Sequence, residues 1–541
     1  MLDGNGLRLD TVGRRYGVRG PWVLRDVTLE VPGGSLVRVE GANGSGKSTL
    51  LRIVAGVDRP TAGHLTGRPA AATAYVPERF PAALPFPVLR YLTHLGTVRG
   101  LPAATARARA LHWLERFGIT GHARTPLDEL SKGTCQKVAV AQALIAEPRL
   151  LVLDEAWTGL DTDARAVLDA AVRERVAAGA TVFFVDHDPR RLADETTAVY
   201  AVGTGQFTSA PLNSRPAGPD SAADSRIADG DTVVVEAVAA AGGTGEVPPP
   251  VRPFARETGS GLVRVEVPAG ESDGVLRALL GARPPWHIAA VRTRTVRAST
   301  AVPGPPALAE GARRPVGALF RYQLDLLLRS HRWLPPLIFY GAVMVIGVAG
   351  GEPLLGSLGY AAALLLPVAA WMVRVCVTNE PGAARACVAS AVGPGRAHRG
   401  ALLAALAASA VLGAAGTALV AAVSGPHSDD MRVDVPVVPA AVAGLMAAAV
   451  SVLLGTAVGA LTNPPLLRGT GWSVLCTAFG AGVVLLTAGS PAQAAVTTLV
   501  TGSRTGTVHY PLPALLVAAL VAAVAVWASA RAVARLGATR P

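Results

Sequence analysis

Residues 7–12 and 23–31 alternate apolar with polar side chains, and Gly33-Gly34 closes the second run. This period of two predicts a pair of antiparallel strands. Leu36-Val-Arg-Val-Glu40 reads as a short buried strand that runs into a glycine-rich turn and then a helix from Ser48. From residue 78 to 130 the period becomes helical, punctuated by Pro81, Pro85, Pro87 and Pro102. A further helix over 136–146 stops before Pro148, and residues 150–153 and 180–185 are wholly apolar runs of strand length. Strands alternating with helices predict a mostly parallel α/β sheet with helices on both faces.

The pattern then changes. Residues 209–230 are rich in Pro, Ser, Ala and Asp and read as a linker. A small module is expected over 231–299, with strands at 232–238, 261–267 and 287–293, a loop at 242–257 and a helix at 273–280. For this β-α-β module a packing or dimer-bracing role is favoured over ligand sensing. Residues 300–315 read as a second linker, which leaves 1–208 as the first domain and 316–541 as the last. Residues 320–328 form an amphipathic helix suited to a membrane surface. Six apolar stretches follow, at 333–349, 354–373, 401–423, 437–461, 471–488 and 512–530. Each approaches the ~17–25 residues that carry a helix across a bilayer. Residues 491–503 are open between a short re-entrant or outer-face helix and a plain loop.

Composition supports this division. Half of the 541 residues are hydrophobic and only 16% are charged, with most of the charge before Arg332. The formal charge of +12 comes almost entirely from scattered arginine, because the only lysines are Lys47, Lys132 and Lys137. That scatter reads as arginine holding helix ends at a cytoplasmic membrane face, with no nucleic-acid partner. Cys135, Cys376, Cys387 and Cys476 form no C-x-x-C or metal-like cluster, so neither disulfides nor zinc is expected. The amino terminus lacks the pattern of a signal peptide, which leaves the first domain in the cytosol. With that side inside, Arg329, Arg332, Arg385, Arg396, Arg399, Arg468, Arg531, Arg535 and Arg540 fall on the cytoplasmic face. The outer loops keep Arg432 and Arg504 beside Glu352, Asp429, Asp430 and Asp434, as the positive-inside rule requires.

The chemistry-bearing motif is Gly41-Ala-Asn43-Gly44-Ser45-Gly46-Lys47-Ser48-Thr49, a G-x-x-x-x-G-K-[ST] loop between a strand and a helix. Its glycines let backbone N–H groups close around phosphates, and the helix amino terminus adds partial positive charge. Lys47 is placed for the β- and γ-phosphates of ATP, and Ser48 for Mg²⁺. Leu150-Leu-Val-Leu-Asp154-Glu155 supplies the complementary carboxylates: Asp154 for Mg²⁺, and Glu155 to polarise the attacking water.

Together these residues resemble the ABC transporter ATPases over roughly the first 205 residues. Leu130-Ser131-Lys132-Gly133-Thr134-Cys135-Gln136 is similar to the family's LSGGQ signature, which caps the γ-phosphate held by a second subunit. The resemblance implies adenine stacking for Tyr16, a D-loop ending at Asp161, and a γ-phosphate switch for His187. It also implies nucleotide contacts for Ser131, Gly133 and Gln136. Two positions depart from the pattern. Glu78 stands where glutamine is commonest, still able to approach Mg²⁺ or the water, and Lys132-Gly133-Thr134 replaces Gly-Gly-Gln.

The expected fold is thus an ABC-type α/β P-loop NTPase with antiparallel β and helical subdomains, then the small α+β module and an all-α six-helix transmembrane domain. The membrane half resembles the permeases of drug, lipid and polysaccharide exporters, and Asn379-Glu380, Gly382 and Pro394 resemble the segment that docks onto the ATPase. ATPase-first order resembles the eye-pigment and sterol half-transporters. The resemblance implies export of an apolar or amphipathic compound by a dimer, with a second copy or a paralogous half-transporter as partner. A membrane-anchored ATPase that signals or remodels, or a partner inactive alone, is the alternative.

Overall fold

The computed structural model describes residues 6–17, 20–69, 72–80, 83–203, 207–210, 232–238, 248, 251–252, 255–257, 262–268, 272–282, 286–294 and 316–536. The expected linkers lie outside the described residues, except that Ser209 and Ala210 end a strand. Arg540 also lies outside them.

In chain order the first region contains β1 (Leu7–Arg15), β2 (Trp22–Val31), β3 (Leu36–Glu40), α1 (Lys47–Val54), β4 (Ala62–Thr66), β5 (Thr73–Val76), α2 (Val88–Val98), α3 (Ala103–Arg116), α4 (Lys132–Leu144), β6 (Leu150–Asp154), α5 (Thr162–Ala177), β7 (Thr181–Val185), β8 (Ala198–Val202) and β9 (Phe207–Ala210). Strands β2, β1 and β4 form an antiparallel sheet. The second sheet runs β5-β6-β7-β3-β8-β9, parallel throughout except for β9 at its edge. The fully buried strands of this sheet, β5, β6 and β7, are the continuous apolar runs that a sheet covered on both faces requires.

A separate compact unit covers residues 215–310. It holds β10 (Thr232–Val238), β11 (Ala255–Glu257), β12 (Leu262–Pro268), α6 (Ser272–Leu280) and β13 (His287–Arg294), in a four-stranded antiparallel sheet of order β11-β12-β10-β13. The loop expected over 242–257 is corrected at its end, where Ala255, Arg256 and Glu257 pair with Val265, Arg264 and Val263.

Residues 1–214 and 311–541 form one compact unit. Its second part contains α7 (Val316–Ser330), α8 (Leu334–Gly347), α9 (Leu354–Asn379), α10 (Gly382–Val392), α11 (Pro394–Val423), α12 (Val437–Thr462), α13 (Thr470–Leu486), α14 (Pro491–Thr505) and α15 (Leu512–Leu536). By length and composition, α9, α11, α12 and α15 can cross a membrane. Helices α13 and α14 are bent by 48° at a short break and would make a fifth crossing if taken as one. The first expected span is only a 14-residue helix. At 1.5 Å per residue it reaches about 21 Å, short of a hydrocarbon core of ~30 Å.

Helices α9 and α12 approach closely because Gly455 and Gly459, one turn apart, face α9. A Cβ on Gly455 would lie 2.4 Å from the Leu366 carbonyl oxygen, and one on Gly459 would lie 2.6 Å from Val373 Cβ. Small residues at this spacing let helix backbones meet where lipid gives no hydrophobic drive.

The first region and the helical region share one core. Leu319, Tyr322 and Leu326 of α7, with Cys387, Val388 and Ala391 of α10, are buried among Phe86, Tyr91, Leu92 and Leu95. Tyr322 stacks on Phe86 with ring centroids 5.6 Å apart. Its hydroxyl donates to Glu380 Oε1 at 2.7 Å, and Gln323 Nε2 donates to Oε2 at 3.1 Å. At the rim of this junction Asp325 accepts two bonds from Arg90, at 2.6 and 2.9 Å, and lies 2.9 Å from His94 Nε2.

Candidate nucleotide site

Between β3 and α1 the chain must turn sharply, and Gly41, Gly44 and Gly46 supply φ values of 146°, 80° and 107°. A Cβ at Gly41 would lie 2.4 Å from the Val202 carbonyl oxygen, so that position is closed to any side chain. The loop ends on the free N–H groups of α1, an anion-binding arrangement. Lys47 Nζ donates to the carbonyls of Gly41 and Ala42 at 2.7 and 3.0 Å, folded over the loop where phosphates would lie. Asn43 is exposed on the loop, and Ser45 Oγ is buried without a partner among the described residues.

Strand β6 carries Asp154 to the start of α1. Ser48 Oγ donates to Asp154 Oδ1 at 3.1 Å, and Tyr75 OH donates to Oδ2 at 3.0 Å. Asp154 is only 2% exposed. Burial pushes its carboxyl up to about 6, while the bonds from Tyr75 and Ser48 pull it back towards ionisation. A serine hydroxyl and a carboxylate at a phosphate loop are the hard oxygen donors that suit Mg²⁺. Together with the unpartnered Ser45 hydroxyl, they make the residues present a fit for that ion beside phosphate.

Glu155 follows directly, in the left-handed region at φ 51°, its N–H bonded to the Val185 carbonyl at 3.1 Å. His187 comes off the end of β7 and places Nε2 3.0 Å from Glu155 Oε1. Backbone strain of this kind collects where a side chain must be aimed. Glu78 lies close enough to add its charge to the field on Asp154, and its own carboxylate is 3.3 Å from Arg79.

Tyr16 comes from the end of β1. Its hydroxyl is 3.3 Å from Thr49 Oγ1, and the Arg14 guanidinium lies 4.9 Å from its ring centre. Thr49 is buried, so it meets Tyr16 from within the first turn of α1.

Elsewhere in the chain, Ser131 caps α4 by accepting from the Thr134 N–H at 3.2 Å. Gly133 sits against Gly159, whose carbonyl would be 2.9 Å from an added Cβ. Asp161 caps α5, accepting from the Ala164 N–H at 2.8 Å, and pairs with Lys137 at 2.7 Å. Gln136 is 5% exposed and its amide donates to the Ala156 carbonyl at 3.3 Å, which ties α4 to the strand end, while Ser131 keeps the exposed loop face.

Tyr75 and Lys137 were not singled out from the sequence. Tyr75 lies in the apolar run before Pro77-Glu78, where a tyrosine reads as core, and only its hydroxyl contact distinguishes it.

The sequence profile described as ABC transporter matches residues 24–158. The zinc import ATP-binding protein ZnuC of Cereibacter sphaeroides is 39% identical over 169 residues, 31% of this chain and 67% of that protein. The aliphatic sulfonates import ATP-binding protein SsuB 2 of Pseudomonas fluorescens is 33% identical over 259 residues, 47% of this chain and 94% of that protein. The macrolide export ATP-binding/permease protein MacB 1/2 of Paracoccus denitrificans is 36% identical over 232 residues, 39% of this chain and 34% of that protein.

Proposed function

The chain belongs to the ABC transporter family, and from that premise we propose that it is a fused ATPase–permease half-transporter that exports an amphipathic compound. Its ATP-binding domain is an ATPase coupled to transport. The observation that carries the finer reading is the shared core: α7 and α10 of the helical region are buried against the ATPase in one compact unit. A domain motion on the ATP side therefore cannot leave the helices behind without exposing Phe86, Tyr322 and Cys387.

In this reading Lys47 and the loop N–H groups hold the phosphates, and Tyr16 offers the ring face away from Arg14 to adenine. Ser48 and Asp154 hold Mg²⁺, with Glu78 alongside. When bound, that ion would offset the negative charge of the phosphates. Glu155 takes a proton from the attacking water, and His187 orients Glu155 and follows the γ-phosphate. Ser131 and Gly133 serve the site of a second subunit, so the working unit is a dimer with a second copy or a paralogue.

We place the ATPase and both ends of the helical region on the cytoplasmic side. This is supported by the arginines at 329, 332, 385, 396, 399, 468, 531 and 535 against the acidic outer loop at 429–434. The six-crossing count then takes α8 as a short crossing and the bent pair α13–α14 as the fifth. An amphipathic cargo, over a wholly apolar one, is supported by Arg374 near the cytoplasmic end of α9, which donates to Asn463 Oδ1 just past α12 at 2.9 Å and to Ser473 Oγ in the first turn of α13 at 2.6 Å.

The test is ATP hydrolysis by the purified chain in lipid nanodiscs, beside Glu155→Gln, across amphipathic compounds and lipids. Wild-type activity that rises with particular compounds and vanishes in the variant supports export. Activity indifferent to every compound would instead favour an ATPase that signals without moving cargo.

A further inference from the structure

A cleft of about 1060 Å³ opens between α2, the start of α3 and the first turn of α7, where the ATPase meets the helical region. Its wall carries Arg90, His94, Arg107, Arg124 and Arg321, and no carboxylate among the described residues. Arg90 is committed to Asp325. Arg107, Arg124 and Arg321 are exposed and have no ion pair or side-chain hydrogen bond among the described residues. Three guanidinium groups facing one space repel each other until an anion enters. Their planar forks match a phosphate bidentately.

Two further features narrow the ligand. Gly317 and Ala318 line the cleft, so the first turn of α7, the positive end of its dipole, borders it. Leu89, Leu101 and Pro102 add an apolar wall beside the charge. A site with cations at one side and hydrocarbon at the other suits an amphiphile better than a free ion. The helix that forms its lip, α7, is amphipathic and leads directly into the apolar α8.

We propose that this cleft binds the phosphate headgroup of an anionic phospholipid from the cytoplasmic leaflet. The lipid source rests on the orientation proposed above, which puts α7 on the cytoplasmic side. A lipid held there would touch both the ATPase helices α2 and α3 and the first helix of the permease. It would brace the junction and make turnover depend on membrane charge.

The test uses the full chain in detergent, without nucleotide. Phosphatidylglycerol, phosphatidylcholine and inorganic phosphate are titrated in turn, reading the thermal midpoint and the lipid retained in native mass spectrometry. Wild type is compared with R107Q/R124Q/R321Q, and with R8Q/R165Q as a control away from the cleft. The expected result is selective retention of phosphatidylglycerol. Its half-saturating concentration rises about tenfold or more in the triple variant, the loss of at least one charge-assisted hydrogen bond, and stays unchanged in the control. If the triple variant does not fold, R321Q alone, an exposed helix-surface change, reads the same shift. Equal retention of the two lipids, or equal retention by variant and wild type, overturns the proposal. Inorganic phosphate acting as strongly as phosphatidylglycerol, and lost in the variant, overturns the lipid source. Retention is read without turnover, so a failure of the transport reading leaves this result standing, and the reverse holds too.

Discussion

Tyr75 reaches the candidate nucleotide site and the helical region at once: its hydroxyl donates to Asp154 at 3.0 Å, and its carbonyl lies 3.6 Å from the Cys387 thiol of α10. Gln142 Nε2 donates to the same carbonyl at 2.9 Å. Burial pushes the Cys387 thiol up to about 12, so it stays protonated and able to donate. One strand residue thus joins the proposed metal-binding carboxylate to the docking helix. Tyr75→Phe removes only the hydroxyl and leaves the carbonyl contacts. The Asp154 carboxylate then loses one of its two side-chain donors, and such outer partners are worth roughly 10–100-fold in metal affinity. The expected outcome is a rise of that order in the Mg²⁺ concentration for half-maximal ATP hydrolysis, with nucleotide binding in the absence of Mg²⁺ little altered.

The pair Glu155–His187, 3.0 Å apart, makes a different prediction. His187 is mostly exposed and is held by that contact, so its loss costs little stability but frees Glu155 to swing. Glu155→Gln should abolish proton abstraction, a loss of roughly 10²–10⁴ in rate, while ATP binding persists. His187→Ala should lower kcat with KM nearly unchanged, because the histidine acts on the reacting geometry and not on ground-state binding. Steady-state kinetics beside fluorescent-nucleotide binding separates the two. Equal losses in binding and rate would assign both residues to nucleotide retention.

Much of the ATPase was legible because its signals are local. A glycine loop needs positive φ at fixed offsets, and a strand buried on both faces is apolar at every position, as in Leu150-Leu-Val-Leu. Ser48 and Asp154 could be paired from motif logic although 106 residues separate them. The packing of Gln136 was not legible, because a polar residue next to a signature reads as functional while a long amide also serves to tie a helix to a buried carbonyl. Hydropathy located the apolar helices but not their lengths: Gly347 ends α8 early, and a break at 487–490 bends α13 into α14. The junction was legible only in part. Asn379-Glu380 resembled a docking segment, but Glu380 meets Tyr322 and Gln323 through tertiary packing across 57–58 residues, and nothing in their spacing announces it.

Glu380 gives the pH dependence of that junction. Burial raises its carboxyl above the ordinary value of 4.5, and Arg385, Tyr322 and Gln323 oppose this without cancelling it. A carboxyl raised in the folded state favours the protonated form. Its contribution is therefore fully present below the unfolded range near 4.5 and is lost as pH rises through the folded value. Glu380→Gln cannot ionise. The thermal midpoint of the variant relative to wild type should thus climb as pH rises from about 4.5 to 8. A difference that stays flat, or falls, across that range would show that Glu380 is ionised at no net cost in the folded protein.

Arg374 makes the last prediction, because its neighbours decide what its removal exposes. Asn463 Oδ1 accepts from Arg374 at 2.9 Å and also from Ser473 Oγ at 2.8 Å, while Asn463 Nδ2 donates to Gly459 O at 2.8 Å. Ser473 Oγ is in addition bonded to Thr462 O at 2.8 Å. The Ser473 hydroxyl has one proton, so Arg374→Leu leaves Asn463 Oδ1 and Thr462 O to share it, and the expected stability cost is about 1.5–3 kcal/mol, the worth of hydrogen bonds from a charged group. The effect on cargo is the sharper test. Arg374 has no carboxylate partner on α9, α12 or α13, and in the proposed orientation it stands at their cytoplasmic ends, where an anionic cargo would meet it. Stimulation of ATP hydrolysis by anionic amphiphiles should fall severalfold in the variant, while stimulation by neutral ones is retained. Equal loss for both classes would make Arg374 a packing residue of the bundle, and equal retention would remove it from the cargo path.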